Sequence, residues 1–257
     1  MAELSVQDVI TAATRLRLGA QWDAAAALLR ATDSQAPAER RAIAVALAEV
    51  LVDQDFAQLT DHGGEALAAA TQAVDTLPDA TSSWDVEMLR LRKDYSRELF
   101  RKDDSADGER VAKELAAGFD GLQATAPDNA RQGMAFFYAG LVADHFLTDP
   151  DQAYACYREA LDCGDDLVGS FALRHLGDHA HTAGDLKLAR EQWELSTEVR
   201  QEAGFLFGVL AQQALLASLL SDEGDAAGSR ALAGEINRWA RQLRLPYLIG
   251  QTDDLMA

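Results

Sequence analysis

Four of the chain's five histidines, His145, His175, His179 and His181, fall within 37 residues, accompanied by Asp144 and Asp178. Imidazoles titrate near neutrality, so such a group is able to carry protons, hold a metal or pair with carboxylates. His175-x2-Asp178-His179 sets two imidazoles one helical turn apart, the spacing with which paired histidines bind zinc. Here, however, the acidic residue adjoins the second histidine and is aspartate, and Gly177 lies between the two rings. The plainer reading is a set of histidines satisfied by hydrogen bonds between helices. No catalytic residue, metal or cofactor is therefore assigned.

A second subset shares one helical face. Arg174 lies four residues before Asp178, and Asp178 three before His181. Tyr138 lies seven residues before His145. If the helices carrying them stack, Tyr138, His145, Arg174, Asp178 and His181 form a mixed aromatic and charged strip. Such a strip suits a peptide or its carboxylate, with Arg174 as the anion partner. The alternatives are a merely solvated face or proton transfer.

The elements that must position these residues are helical. Apolar residues recur at three- and four-residue spacing almost throughout, and no segment alternates over strand length. The pattern predicts an all-α chain of twelve helices, at 5–18, 21–33, 37–55, 62–76, 82–102, 107–125, 128–147, 150–163, 166–183, 186–202, 205–222 and 226–244. Punctuation supports these cuts. Asp149-Pro150-Asp151-Gln152 supplies an N-cap carboxylate, a proline at the first helical position and a capping-box Gln. Gly164-Asp165, Gly184-Asp185 and Gly224-Asp225 each read as a stop followed by a start. Pro78, Pro127 and Pro246 lie where helices should end.

Residues 173–200 read Leu173-x2-Leu176-Gly177-x2-Ala180-x3-Gly184-x4-Ala189-x3-Trp193-x2-Ser196. The preceding hairpin reads Phe136-x2-Ala139-Gly140-x2-Ala143, then Ala153-x3-Tyr157-x2-Ala160-Leu161. This resembles the tetratricopeptide repeat (TPR) pattern of about 34 residues. Ala153 to Ala189 is 36 residues and Gly140 to Gly177 is 37, so the turn near Thr148 should hold one extra residue. The best-matched repeats are 134–165 and 170–202. Partial matches lie at Gly19–Ala31, Ala66–Pro78 and Leu216–Gly224, and 82–125 departs most.

The resemblance implies a TPR-like α-solenoid, a single domain over 1–257 with about six antiparallel hairpins in a right-handed superhelix. The helices at 128–147, 166–183 and 205–222 would then line a concave groove. It also implies a non-enzymatic scaffold or adaptor that binds a protein or peptide segment there, through Tyr138, His145, Arg174, Asp178 and His181. A sensor of peptides or small molecules acting through a protein partner is the alternative, and a His/Asp enzyme a more distant one. The tail 245–257, through Tyr247, Leu248 and Ile249, is expected to cap the last hairpin.

Charge narrows the partners. Lys and Arg number 23 against 42 Asp and Glu, a net charge of −19. Such a surface repels phosphate backbones and anionic membranes, so neither nucleic acid nor a membrane is expected. No run of about 18 apolar residues is present, and the first residues do not read as a signal peptide, which points to the cytoplasm. Cys156 and Cys163, seven apart on one helix, are too distant to bridge and read as two small buried thiols. Arg90, Arg92, Lys93, Arg97, Arg101 and Lys102 crowd one helix, either as a dock for an acidic partner or as a solvated face interleaved with carboxylates. Trp193 occupies a packing position, and Trp84 reads as the start of a helix.

Overall fold

The computed structural model describes residues 4–101 and 107–257, and these contain helices and no strand. Lys102, the last of the six basic residues above, lies outside the described residues. By compactness the chain divides into two units at Pro127/Asp128.

The first unit holds α1 (Val6–Leu18), α2 (Trp22–Arg30), α3 (Pro37–Gln58), α4 (Gly63–Thr76), α5 (Ala80–Leu99) and α6 (Gly108–Thr125). They pair as α1 with α2, α3 with α4 and α5 with α6, and α3 also packs on α1 and α5. A half-buried ion network joins the three odd-numbered helices. Arg17 of α1 and Arg92 of α5 both bind the Asp53 carboxylate of α3, and Arg17 also reaches Glu49 at 3.1 Å. Lys93 spans Asp55, at 3.1 Å, and Asp61. The other described basic residues of this segment pair locally: Arg90 with Glu87 and Asp94, Arg97 with Asp94, and Arg101, just past α5, with Glu98. Arg92 and Lys93 thus join helices, whereas Arg90 and Arg97 are exposed and interleave with carboxylates on a solvated face. Trp84 does not start a helix: it is buried within α5, and its indole N–H donates to the Leu122 carbonyl of α6 at 2.9 Å.

The second unit holds α7 (Asn129–Val142), a π-helical turn (Ala143–Leu147), α8 (Pro150–Cys163), α9 (Asp166–Thr182), α10 (Leu186–Ala203), α11 (Leu206–Asp222), α12 (Ala226–Leu243) and α13 (Pro246–Met256). Pairs again follow chain order, α7 with α8, α9 with α10 and α11 with α12, while α9 also packs on α7 and α8. The extra residue expected near Thr148 is absorbed by the π turn, whose wider ring takes up one residue more than an α turn. Thr148 then reverses the chain with φ +53°.

Two glycine–aromatic contacts hold these hairpins. A Cβ on Gly140 would come within 2.6 Å of the Tyr157 ring, and one on Gly177 would collide with the Trp193 indole. Each glycine lets the partner helix lay an aromatic ring against its backbone. Below that contact, Ala180, Ala189, Trp193 and Leu219 form one buried cluster across α9, α10 and α11.

Six helices start on an aspartate whose carboxylate accepts the backbone N–H three residues on: Asp79, Asp128, Asp149, Asp165, Asp185 and Asp225. Negative charge is favourable at helix N-termini, so part of the acidity is spent on capping. The thirteenth helix was not expected. Pro246 opens α13 rather than ending α12, because proline at the first helical position removes an N–H that has no partner there anyway. α13 packs on α11 and α12, burying Leu248 and Thr252 while Tyr247 stays exposed. Cys156 and Cys163 form no disulfide, and both are half-buried rather than fully buried.

Candidate functional site

The polar residues of the second unit gather where α9 meets the π turn, α8 and α10. Asp144 is placed by the π turn so that one carboxylate oxygen serves two neighbours. It accepts from the Tyr157 hydroxyl at 2.9 Å and lies 3.3 Å from His179 Nε2. Tyr157 is fully buried and sits 36 residues before Trp193, so the same packing position carries a phenol in one hairpin and an indole in the next. The phenol's hydroxyl turns a packing residue into a hydrogen-bond donor.

His175 is buried in an aromatic cage. Tyr157 stacks on its ring, centroids 4.9 Å apart at 19°, with Phe137 at 5.6 Å and His145 at 6.2 Å. Arg174 Nη1 lies 2.9 Å from one ring nitrogen and 3.2 Å from the other. The same guanidinium nitrogen donates to Asp178 Oδ2 at 3.1 Å, and that oxygen is 3.5 Å from His175 Nδ1. Burial first, then the charges of Arg174, His145, Arg200 and His179, hold His175 well below the usual histidine range. Partial desolvation lowers His145 too, against the pull of Asp144, although its side chain is exposed. Asp178 moves up: burial and Asp144 outweigh Arg174.

No protein-family model matches the chain, and no curated protein gives a significant match. Its chemistry therefore rests on this geometry.

Among the five strip residues, His145, Arg174 and Asp178 lie around His175. Tyr138 sits edge-on to Phe137, centroids 5.3 Å apart, and reaches the group through that ring. His181 turns the other way. Its Nε2 is 2.8 Å from Asp222 of α11, and its ring lies 5.5 Å from that of Trp193. It therefore joins two hairpins. The zinc-like pair has different polar partners, Arg174 and Asp178 for His175 and Asp144 for His179, while the Tyr157 ring touches both and the exposed ring of Tyr154 touches His179. Among the described residues, no group of three or more His, Cys, Asp or Glu side chains is arranged to hold a metal ion.

Arg200 escaped the sequence analysis. Its guanidinium is buried against the Phe171 ring, 5.2 Å from the centroid, and donates to the Ser170 carbonyl, the Ser170 hydroxyl and the Gly208 carbonyl at 3.1–3.3 Å. Burial, with Arg174 adding to it, pushes this group down to about 9, which still leaves it charged at neutral pH. One arginine in an amphipathic helix carries no sequence signal for this. Asp222 was equally silent, because its partner is 41 residues away.

Proposed function

We propose that the protein is a TPR-like helical-repeat scaffold that works by binding a protein or peptide segment rather than by catalysis. The observation that carries the fold half of this reading is the repeated glycine–aromatic contact, Gly140 with Tyr157 and Gly177 with Trp193, in consecutive hairpins. Repeats of this kind stack into a superhelix whose first helices line a concave face. The binding half rests on what packing leaves over. Arg174 and Asp178 are half-exposed beside the buried His175, and Tyr138 and His145 flank them. A partner with a carboxylate would take the Arg174 guanidinium from Asp178 and gain a charge-assisted bond. The net charge of −19 favours a segment with basic residues around that carboxylate. Among the described residues, no helix is long and apolar enough to cross a membrane.

The test is a peptide array probed with the full chain, its hits re-measured in solution. Arg174→Ala should weaken the strongest hits by about tenfold or more, and Lys187→Ala, at an exposed position on α10, should not. Equal binding by wild type and Arg174→Ala would overturn the site.

A further inference from the structure

The surroundings of His175 favour its neutral form. Four groups around it are cationic or become so in acid: Arg174 and His179 on its own helix, His145 on the π turn and Arg200 on α10. The remaining titratable neighbours are two carboxylates and a phenol. Asp144 is committed to the Tyr157 hydroxyl and His179. Tyr157, on α8, is the stacked ring and gives its hydroxyl to Asp144. Only Asp178 faces a ring nitrogen, at 3.5 Å, and its oxygen is already bound by Arg174 at 3.1 Å.

We infer that this joint is an acid-operated switch, in which protonation of His175 draws Asp178 away from Arg174, expels the guanidinium and loosens the π turn and α9. A second cation cannot stay against Arg174 in a buried site unless an anion moves between them. Arg174 is the member able to leave, since its side chain is about a quarter exposed whereas that of His175 is 8% exposed. The π turn is the segment able to yield, because Tyr157 links it to His175: the hydroxyl holds Asp144 while the ring stacks on the imidazole. The depressed proton affinity of His175 agrees with this direction. The switch requires no partner, so it stands or falls independently of the binding reading.

Two measurements on the full chain test it together: histidine Cε1–H titration by NMR, and amide hydrogen exchange at pH 7.5 and 5.0 corrected for the intrinsic rate. The expected result is a His175 resonance titrating below 6.5. Protection over residues 143–147 and 166–182 should fall at least tenfold at the lower pH, and α12 should change little. His175→Gln should remove that acid response. Unchanged protection in these segments at pH 5.0 overturns the proposal, as does a His175 midpoint at or above 6.5 or a His175→Gln variant with the wild-type response. If His175→Gln does not fold, the two wild-type measurements decide alone.

Discussion

The indole N–H of Trp193 donates to the backbone carbonyl of Arg174 at 2.9 Å, across the space that Gly177 leaves open. A packing residue and a site residue are thereby tied: the ring that fills the hairpin also fixes the turn of α9 on which Arg174 and Asp178 stand. The Tyr157 ring lies over Gly140 in the same way, but its polar group reaches Asp144 instead.

Substitution at Gly177 should therefore act on both levels. A methyl there collides with a buried indole that has no room to retreat, so Gly177→Ala should cost roughly 2–3 kcal/mol from overpacking and the strained hydrogen bond. Thermal melting should show a fall of about 5–10 °C. Gly121, within α6, has nothing within 4 Å of where its Cβ would be. Gly121→Ala should gain about 0.5–1 kcal/mol from helix propensity alone. Two glycine-to-alanine changes in helices would then shift Tm in opposite directions.

The first unit should hold its structure through the pH range in which the second weakens. Burial works against the Asp53 carboxylate, but the charges and hydrogen bonds of Arg17 and Arg92 prevail and keep it below the usual carboxylate range. A depressed carboxylate contributes stability that is present above its unfolded value, near 3.8, and is lost as pH falls through the lower folded value. A depressed histidine contributes stability that is present above its unfolded value, near 6.5, and declines below it by up to about 1.4 kcal/mol per pH unit. Asp178, with its raised affinity, gives back some stability as pH falls through its folded value, which lies above the unfolded 3.8. Hydrogen exchange between pH 7 and 5 should show the amides of the π turn and α9 losing protection while α1, α3 and α5 keep theirs. Loss in the first unit should begin below about pH 4.

Asp55 is the anchor of α4. Its carboxylate accepts the amides of His62 at 2.6 Å and Gly63 at 2.8 Å, and also takes the Thr60 hydroxyl and Lys93. Removing it strips the start of α4 of its acceptor and leaves Lys93 only the exposed Asp61. Asp55→Ala should cost roughly 3 kcal/mol. Asp55→Asn, which keeps an acceptor oxygen, should cost about half as much in chemical denaturation.

What the sequence made legible was whatever repeats locally. Helix starts fell within two residues of the expected positions, because aspartate caps and prolines write them at fixed offsets. Gly177 and Trp193 were readable as a packing pair for the same reason. The spacing even held the clue to the π turn, one residue longer in the first hairpin than in the second. Partnerships across distant helices were not readable. Arg92 was seen as basic surface, but Asp53, 39 residues away, makes it interior. His145 and His181 share the expected strip, but His145 lies against His175 while His181 finds Asp222. Helical periodicity places a side chain on a face; the ion it meets there belongs to another element.

Arg200 offers a test of whether the buried charges of the second unit act together. Arg200→Ala removes the donors to Gly208 and Ser170 and empties the volume above Phe171, which should cost roughly 3–4 kcal/mol. Arg200→Met fills most of that volume with no charge to desolvate, and buried ions replaced by apolar side chains of similar size are often nearly neutral. It should therefore cost about 1 kcal/mol or less. The two variants should nevertheless agree in one respect. Arg200 is among the cations that lower His175, so removing its charge should move the His175 midpoint upward in both. The acid loss of stability would shrink accordingly, since the folded value then lies nearer the unfolded 6.5. A His175 titration unchanged in Arg200→Met would show that the two groups are electrostatically independent despite sharing the Phe171 end of α9.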